Sequence, residues 1–375
     1  MRLFYITNST IPTEKAYGYS ISKMCEQFAN LGIEVVLVLP KLKRKNPIFQ
    51  NVADYYGIKK NFKIKRIPCL DLINLTFFSK LFFLIQRFSF LLSFLFIKTK
   101  KDDLIYIRDI EQLLFWSLKN KNIFFEIHFL SKKDKILLFL IKRAKKVIVI
   151  TKKLKEDLVN YGLSAEKILI APDGVDLEDF NIKESQEKCR RKLNLPLDKK
   201  IIGYAGQLKT MGEEKGINDL IKAIRIIGHT LCLVGGRESD IIGYKKLAKG
   251  LDVIFVGHIQ HKLIPYYLKS FDVLVMPFPH LKHYLYYMSP LKMFEYMAAQ
   301  RPIVTSDLPS IREVLNRNNA ILVQPNNPQS LAQGIKMALE NTDFSAKISK
   351  KAFEDVQKYT WSRRVQNIIK FINYG

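Results

Sequence analysis

Short, nearly unbroken apolar runs alternate with stretches of helical periodicity along the whole chain. Arg2–Ile6 is short and apolar, Ser20–Leu31 carries helical spacing and stops at Gly32, and Ile33–Leu39 is β-branched and almost continuous. Strand, helix and strand in that order predict a βαβ unit, whose parallel strands are covered on both faces and so lose the alternation of a half-exposed sheet. Further strands are predicted at Leu104–Ile107, Ile123–Ile127, Val147–Ile150 and Ile168–Ala171. After Pro172-Asp173-Gly174-Val175-Asp176 and a charged stretch to Lys200 the pattern restarts. Strands are then readable at Ile201–Ala205, Thr230–Val234, Val253–Val256, Val273–Met276, Ile303–Thr305 and Ala320–Val323, with helices between them. The fold class is therefore α/β, with two Rossmann-like doubly wound domains expected to face each other across a cleft, where open α/β sheets bind ligands beyond the carboxyl ends of their strands. Residues 1–178 are expected to form the first domain and 179–356 the second, and 357–375 to hold a last amphipathic helix, Trp361–Ile372.

One segment does not fit that alternation. Phe77–Ile97 approaches the length of a membrane span, yet Lys80, Gln86 and Arg87 sit inside it. At about 100° per residue, Thr76, Ser79, Lys80, Gln86, Arg87 and Ser93 gather on one side. Leu81, Leu84, Ile85, Phe88, Leu91, Leu92 and Leu95 fill the other, while Phe83, Phe90 and Phe94 fall among the polar positions. The central charge disfavours a spanning helix. Two readings stay open: a helix packed on the core of the first domain, or one lying in a membrane interface.

Composition narrows the function classes. The 375 residues carry a formal net charge of +26 and are 48% hydrophobic, enough apolar material for sizeable cores despite the charge. Residues 1–170 hold +17 of that charge and 171–375 hold +9, so the first domain is the more basic one and also carries the Phe-rich segment. Nucleic acid, an anionic membrane surface and a phosphorylated substrate are the partner classes such charge suits. Cys25, Cys69, Cys189 and Cys232 match neither a zinc spacing nor a redox pair, which suits a reducing compartment. The N-terminal apolar run is too short for a secretory signal, so a cytoplasmic location is expected.

Three places could carry chemistry. Gly203-Tyr204-Ala205-Gly206-Gln207-Leu208, ending in Lys215-Gly216 before the Ile217–Ile227 helix, is a strand, a glycine-containing loop with a lysine, and a helix start, where backbone N–H groups and a mobile cation favour an anion. It lacks the spacing of a Walker loop, and a solvated Lys215 is the plain alternative. Ser289-Pro290-Leu291-Lys292-Met293-Phe294-Glu295 opens a helix with Pro290 in its first turn, so that the N–H groups of Leu291 and Lys292 point out toward a phosphate. Glu295, one turn on, could accept two hydrogen bonds from a ribose diol, or be an ordinary exposed glutamate. His128, with Glu126 on the same face, stands at the end of the Ile123–Ile127 strand, where a lone histidine is either structural or catalytic. No metal cluster is recognisable.

Taken in order, Tyr204-Ala205-Gly206-Gln207-Leu208 to Lys215-Gly216, Leu233-Val234-Gly235-Gly236, Phe255-Val256-Gly257-His258-Ile259, Ser289 to Ala299 and Pro302 to Pro309 resemble the retaining GT-B glycosyltransferases of family 4, the glycosyl transferases group 1. The resemblance covers nearly the whole chain. It implies retaining transfer of a sugar from a nucleotide-diphosphate donor, with no metal or other cofactor, to a cell-surface glycan or lipid-linked acceptor. It further implies that Lys215 and the N–H groups of Leu291 and Lys292 stabilise the leaving diphosphate, with Gly206, Gln207, Lys209 and Ser289 around the same donor. Glu295 would hold the ribose, the backbone of Gly257, His258 and Ile259 would touch the base, and His128 would line the donor-sugar pocket. Tyr17, Gly18, Tyr19 and Ser20 would form a loop near donor phosphate and acceptor, and the final helix would cross back to the first domain.

The sequence departs from the family pattern at two positions. Many members carry a glutamate eight positions before Glu295, where Tyr287 stands here, and a basic residue often found at the place of Gln207 is absent, with Lys209 as its expected substitute. A GT-B epimerase or phosphorylase, a catalytically silent relative and a basic nucleic-acid binder are the rival readings. The last lacks any recognition motif. The expected setting is the inner face of the cytoplasmic membrane, as a peripheral protein on an anionic surface.

Overall fold

A computed structural model describes residues 1–43, 46–71, 79–120, 122–130, 138–210 and 212–373. The chain divides into two compact units, Met1–Ala171 with Arg364–Gly375, and Pro172–Arg363.

In the first unit, strands β1 (Arg2–Ile6), β2 (Glu34–Lys41), β3 (Lys63–Pro68), β4 (Leu104–Ile107), β5 (Ile123–Ile127), β6 (Lys146–Val149) and β7 (Ile168–Ile170) form one sheet in the order β3-β2-β1-β4-β5-β6-β7. All of its pairings are parallel, with Phe4 opposite Val36 on one side and Ile105 on the other. The strands read as continuous apolar runs because helices cover both faces. β3 escapes that criterion: Lys63, Lys65 and Arg66 interrupt it and most of it is exposed. It is an edge strand, where charge is what keeps another chain from adding on.

In the second unit the strands are β8 (Ile201–Ala205), β9 (Lys209–Thr210), β10 (Glu213–Glu214), β11 (Thr230–Val234), β12 (Val253–Gly257), β13 (Val273–Met276), β14 (Ile303–Ser306) and β15 (Ile321–Val323). Six of them make a parallel sheet in the order β12-β11-β8-β13-β14-β15, and β9 and β10 pair as a small antiparallel ribbon. Two apolar cores form, one on each face. One is built on Leu268, Phe271, Phe294 and Met297, the other on Leu220, Ile224, Leu331 and Ile335. The winding reverses between β8 and β13 here, and between β1 and β4 in the first unit. Such switch points open a crevice beyond the carboxyl ends of the strands.

The Phe-rich segment forms the Ser79–Leu92 helix and a 3₁₀ turn, Ser93–Phe96; Thr76, Phe77 and Phe78 lie outside the described residues. A core-facing apolar stripe is not what forms. Gln86 is buried while Leu84, Phe88 and Leu95 are exposed. Phe90 and Phe94, which break the polar side of the stripe, are the residues that anchor it: Phe94 meets Phe115 edge-on at 5.6 Å and the Trp116 ring at 5.5 Å. Among the described residues no helix is long and apolar enough to cross a membrane.

Candidate functional site

The second-unit site is built from the carboxyl ends of β8, β11 and β12, which are laced by backbone hydrogen bonds. Gly206 N–H donates to Val234 O at 2.8 Å and Gly235 N–H to Gly257 O at 2.7 Å. After β8 the chain runs through the β9–β10 ribbon to Lys215 and Gly216, which caps the Ile217–Ile227 helix in the left-handed region at φ 81°. A Cβ at Gly216 would stand 1.6 Å from Pro277 O, so only glycine brings the helix start this close to the end of β13.

The Leu291–Ala298 helix enters the same corner. Pro290 is its N-cap, one position outside the first turn expected for it, and the N–H groups of Leu291 and Lys292 are the first two of the helix, with no carbonyl one turn back. The helix is fixed by Tyr296, whose hydroxyl accepts the Ala205 N–H at 2.7 Å. Lys292, four residues earlier and so on the same side, is thereby set beside Gly206. A Cβ on Gly206 would lie 2.9 Å from Lys292 Nζ, so the ammonium occupies the space glycine leaves.

Lys292 is buried, and its Nζ has no hydrogen-bond partner among the described residues. Its ammonium stands 3.5 Å from the centre of the Tyr204 ring and 5.8 Å from that of Phe278. Burial, reinforced by the nearby Lys215 charge and opposed by Glu295, holds this amine well below its ordinary value. Burial likewise lowers Lys215 to about 8, and burial followed by Lys215 lowers His283. Glu214, the carboxylate next to Lys215 in sequence, accepts the Asn218 N–H at 3.2 Å instead, and burial raises its carboxyl. Among the described residues neither Lys215 nor Lys292 makes an ion pair. Lys215 and Lys292 are thus two desolvated amines close to one helix start, a combination whose charged forms a nearby anion would favour.

Glu295 is buried one turn beyond Leu291, and its Oε1 lies 2.9 Å from His261 Nε2, in the 3₁₀ turn after β12. His261 has no sequence signature tying it to Glu295, 34 positions away, and the same holds for Tyr204 beneath Lys292 and for His283. Gly257 ends β12 at φ 77°, His258 is exposed, and Ile259 packs against the core. Two expected donor residues are otherwise engaged. Lys209 Nζ lies 3.6 Å from Asp240 Oδ1, and Ser289 Oγ accepts the Asp173 N–H at 2.9 Å. Gln207 is half-buried and gives its backbone carbonyl to the Tyr204 hydroxyl at 2.8 Å. Tyr287, at the place of the family's glutamate, is buried.

In the first unit, Glu126, the fourth residue of β5, is buried. Tyr106 OH donates to its carboxylate, Arg364 Nη2 lies 3.3 Å from Oε1, and Arg108 Nε lies 3.7 Å away. Burial pushes the Glu126 carboxyl up, but Arg364, then Arg108, then His128 outweigh it and hold it well below the usual range. His128 Nε2 lies 2.5 Å from Glu126 Oε1 and 2.6 Å from Arg108 Nη2. One ring nitrogen cannot donate to the carboxylate and accept from the guanidinium at once, so the tautomer selects which neighbour holds the ring. Tyr17, Gly18, Tyr19 and Ser20 are not a loop: they open the Ala16–Asn30 helix, and the last three are buried. A Cβ on Gly18 would meet Tyr56 Oη at 2.1 Å, because that hydroxyl bridges the Thr13 N–H and carbonyl just before the helix. Among the described residues no group of three or more His, Cys, Asp or Glu is placed to hold a metal ion.

Two doubly wound parallel-sheet domains define the GT-B class of fold. The model of the group 1 glycosyl transferases matches residues 199–341, and that of glycosyltransferase family 4 matches residues 18–179. The chain belongs to this family of glycosyltransferases. It is 30% identical over 228 residues to an uncharacterized glycosyltransferase of Methanocaldococcus jannaschii, covering 57% of this chain and 56% of that one. It is 25% identical over 212 residues to a Bacillus subtilis glycosyltransferase named for teichuronic acid biosynthesis, covering 56% and 51%. The chain thus spans about half the length of the curated relatives it matches. The fold is shared with Anabaena HepE, a structure solved with UDP and glucose, at a TM-score of 0.75 and 17% identity over 100% of this chain and 99% of that one.

Proposed function

We propose that the protein transfers a sugar from a nucleoside-diphosphate donor, with retention and without a metal, to a cell-surface glycan or lipid-linked acceptor at the inner face of the cytoplasmic membrane. The observation that carries this reading is the pair of desolvated ammonium groups, Lys215 and Lys292, converging beside the start of the Leu291–Ala298 helix. A diphosphate bound there would receive both charges together with the Leu291 and Lys292 N–H groups. Negative charge grows on those oxygens as the sugar leaves, so the same contacts strengthen toward the transition state. Lys292 also supplies, from beneath the loop, a cation that Gln207 lacks. In this reading Glu295 takes the ribose hydroxyls, exchanging His261 for them, and the backbone after β12 meets the base. In the first unit His128, held by Glu126, is the group assigned to the donor sugar.

The B. subtilis relative's name and the UDP and glucose of the Anabaena structure support a polysaccharide-building role and a nucleotide-sugar donor. The test is incubation with a panel of UDP- and GDP-sugars, following binding, hydrolysis and the anomeric configuration of any product by NMR. Donor binding with retained configuration is the expected result. Absence of both binding and hydrolysis across the panel overturns the reading, and inverted product overturns the stereochemistry.

A further inference from the structure

The Ser79–Leu92 helix is mounted inside out. Its polar side is turned into the protein and tied down by specific bonds. Gln86, 2% exposed, exchanges two hydrogen bonds with the Asn8 side chain at the end of β1, at 2.8 and 3.3 Å. Arg87 Nε donates to Glu111 at 2.7 Å, Ser89 Oγ accepts the Leu70 N–H at 2.8 Å, and Ser93 Oγ donates to Pro68 O. Rotating the helix to bury its aliphatic side would break all of these bonds. The outward side carries Leu84 at 60% exposure and Phe88 at 63%, continued by Leu95 and Phe96 on the 3₁₀ turn.

The exposed apolar surface extends beyond this helix. Lys119, on the Ile110–Lys119 helix, donates to the Phe94 and Ile97 carbonyls at 3.1 and 2.8 Å, so that helix abuts the 3₁₀ turn. Its Leu114 and Leu118, one turn apart, are 51% and 79% exposed. A patch of this extent on a soluble surface marks something that covers it. Beside it stand the exposed Lys98, Lys100 and Lys101, with Asp102 the one exposed carboxylate in that run, and Arg143, whose Nη1 donates to Ser117 at 3.2 Å.

We propose that this face is a docking surface for an anionic lipid bilayer, with Leu84, Phe88, Leu95, Phe96, Leu114 and Leu118 entering the acyl boundary and the lysines meeting the headgroups. Charge selects the occupant: two copies of a lysine-rimmed face repel each other, whereas an anionic headgroup layer complements the rim and acyl chains complement the centre. The inference rests on the membrane reading above and adds where the contact is made and by which residues. It is independent of the donor chemistry.

The experiment is flotation of the full chain with phosphatidylcholine vesicles and with vesicles in which about a third of the lipid is phosphatidylglycerol, comparing wild type, L84S/F88S and the control I226S, whose exposed isoleucine lies in the second unit. Wild type and I226S are expected to float with anionic vesicles, about tenfold more than with zwitterionic ones, and L84S/F88S to lose about tenfold of that recovery. Circular dichroism and nucleotide binding, unchanged in the variant, exclude misfolding as the cause. Wild type remaining at the bottom with both vesicle types overturns the membrane reading and this surface together. A variant that floats like wild type overturns the surface alone. Wild type that fails to float but forms a dimer abolished by L84S/F88S assigns the face to a second copy and overturns the proposal. Wild type that floats yet binds no nucleotide sugar overturns the transfer reading and leaves the surface standing.

Discussion

The Lys292 ammonium lies 3.5 Å from the centre of the Tyr204 ring, directly behind Gly206, with no hydrogen-bond acceptor among the described residues. A face-on aromatic ring is a weak substitute for water, which is why the amine remains perturbed. Lys292→Met keeps the apolar stem and removes the buried charge. It should leave the unliganded protein as stable or up to about 2 kcal/mol more stable, while weakening nucleoside-diphosphate binding by about 10- to 100-fold. Thermal unfolding and calorimetric titration check the two halves; a variant that binds as tightly as wild type removes Lys292 from the site.

Lys215 titrates at about 8 in the unliganded protein, and an anion beside it favours the charged form. Its pKa therefore rises on binding, a proton is taken up, and affinity falls as pH increases through about 8. The loss should approach about tenfold per pH unit above that point for one required proton. Titrations across pH 6.5 to 9.5, repeated in buffers of different ionisation enthalpy, read both the slope and the uptake. Lys292, whose amine burial also holds low, adds its own proton uptake, so Lys215→Met should reduce the slope and Lys292→Met should reduce it separately.

Glu295 and His261 face each other at 2.9 Å at the position assigned to the ribose. Glu295→Gln should lower affinity for a nucleoside diphosphate by about 5- to 30-fold, equivalent to about 1–2 kcal/mol, and leave inorganic pyrophosphate binding unchanged. An equal loss for both ligands would place Glu295 with the phosphates instead.

Glu126 compensates two guanidiniums, the buried Arg364 and the half-buried Arg108. Glu126→Ala should cost about 3–5 kcal/mol, measured by urea unfolding at neutral pH, because it strands both charges. Its folded pKa is depressed, so its contribution is present above the unfolded value of about 4.3 and is lost as pH falls through the lower folded one. Glu126→Gln should accordingly lack that part of the acid dependence.

The strands of both parallel sheets were legible as apolar runs because burial on both faces leaves a one-dimensional mark. β1, β4, β5, β8, β11 and β13 fall where the pattern puts them. β3 left no such mark, since an exposed edge selects lysine and arginine. The helix from Ala16 starts four residues earlier than its apolar spacing shows, because its first turn packs through Gly18 against Tyr56 rather than through a large side chain. The corner where Gly206, Lys215 and Lys292 meet was readable in part: the loop, Lys215 and the Leu291–Ala298 helix start are contiguous motifs. Sequence spacing could not show that Lys292 would point its amine under Gly206, that Lys209 would turn to Asp240, or that His261 would reach Glu295. Those pairings are made by the way the helices fold back over the sheet. The Phe-rich helix misleads for a similar reason. Periodicity finds two sides of a helix but does not say which one turns inward, and a few side-chain hydrogen bonds decided that.

Arg364, which neutralises Glu126 from the far end of the chain, also sets an order of assembly during synthesis. The first unit contains a buried carboxylate whose counter-charge is translated 238 residues later, after all of Pro172–Arg363 has been made. Until then the nascent unit must hold Glu126 protonated, wetted or leaning on Arg108 and His128. The first unit is therefore discontinuous in sequence, and Glu126 gains Arg364 only once the Trp361–Asn373 helix has been made.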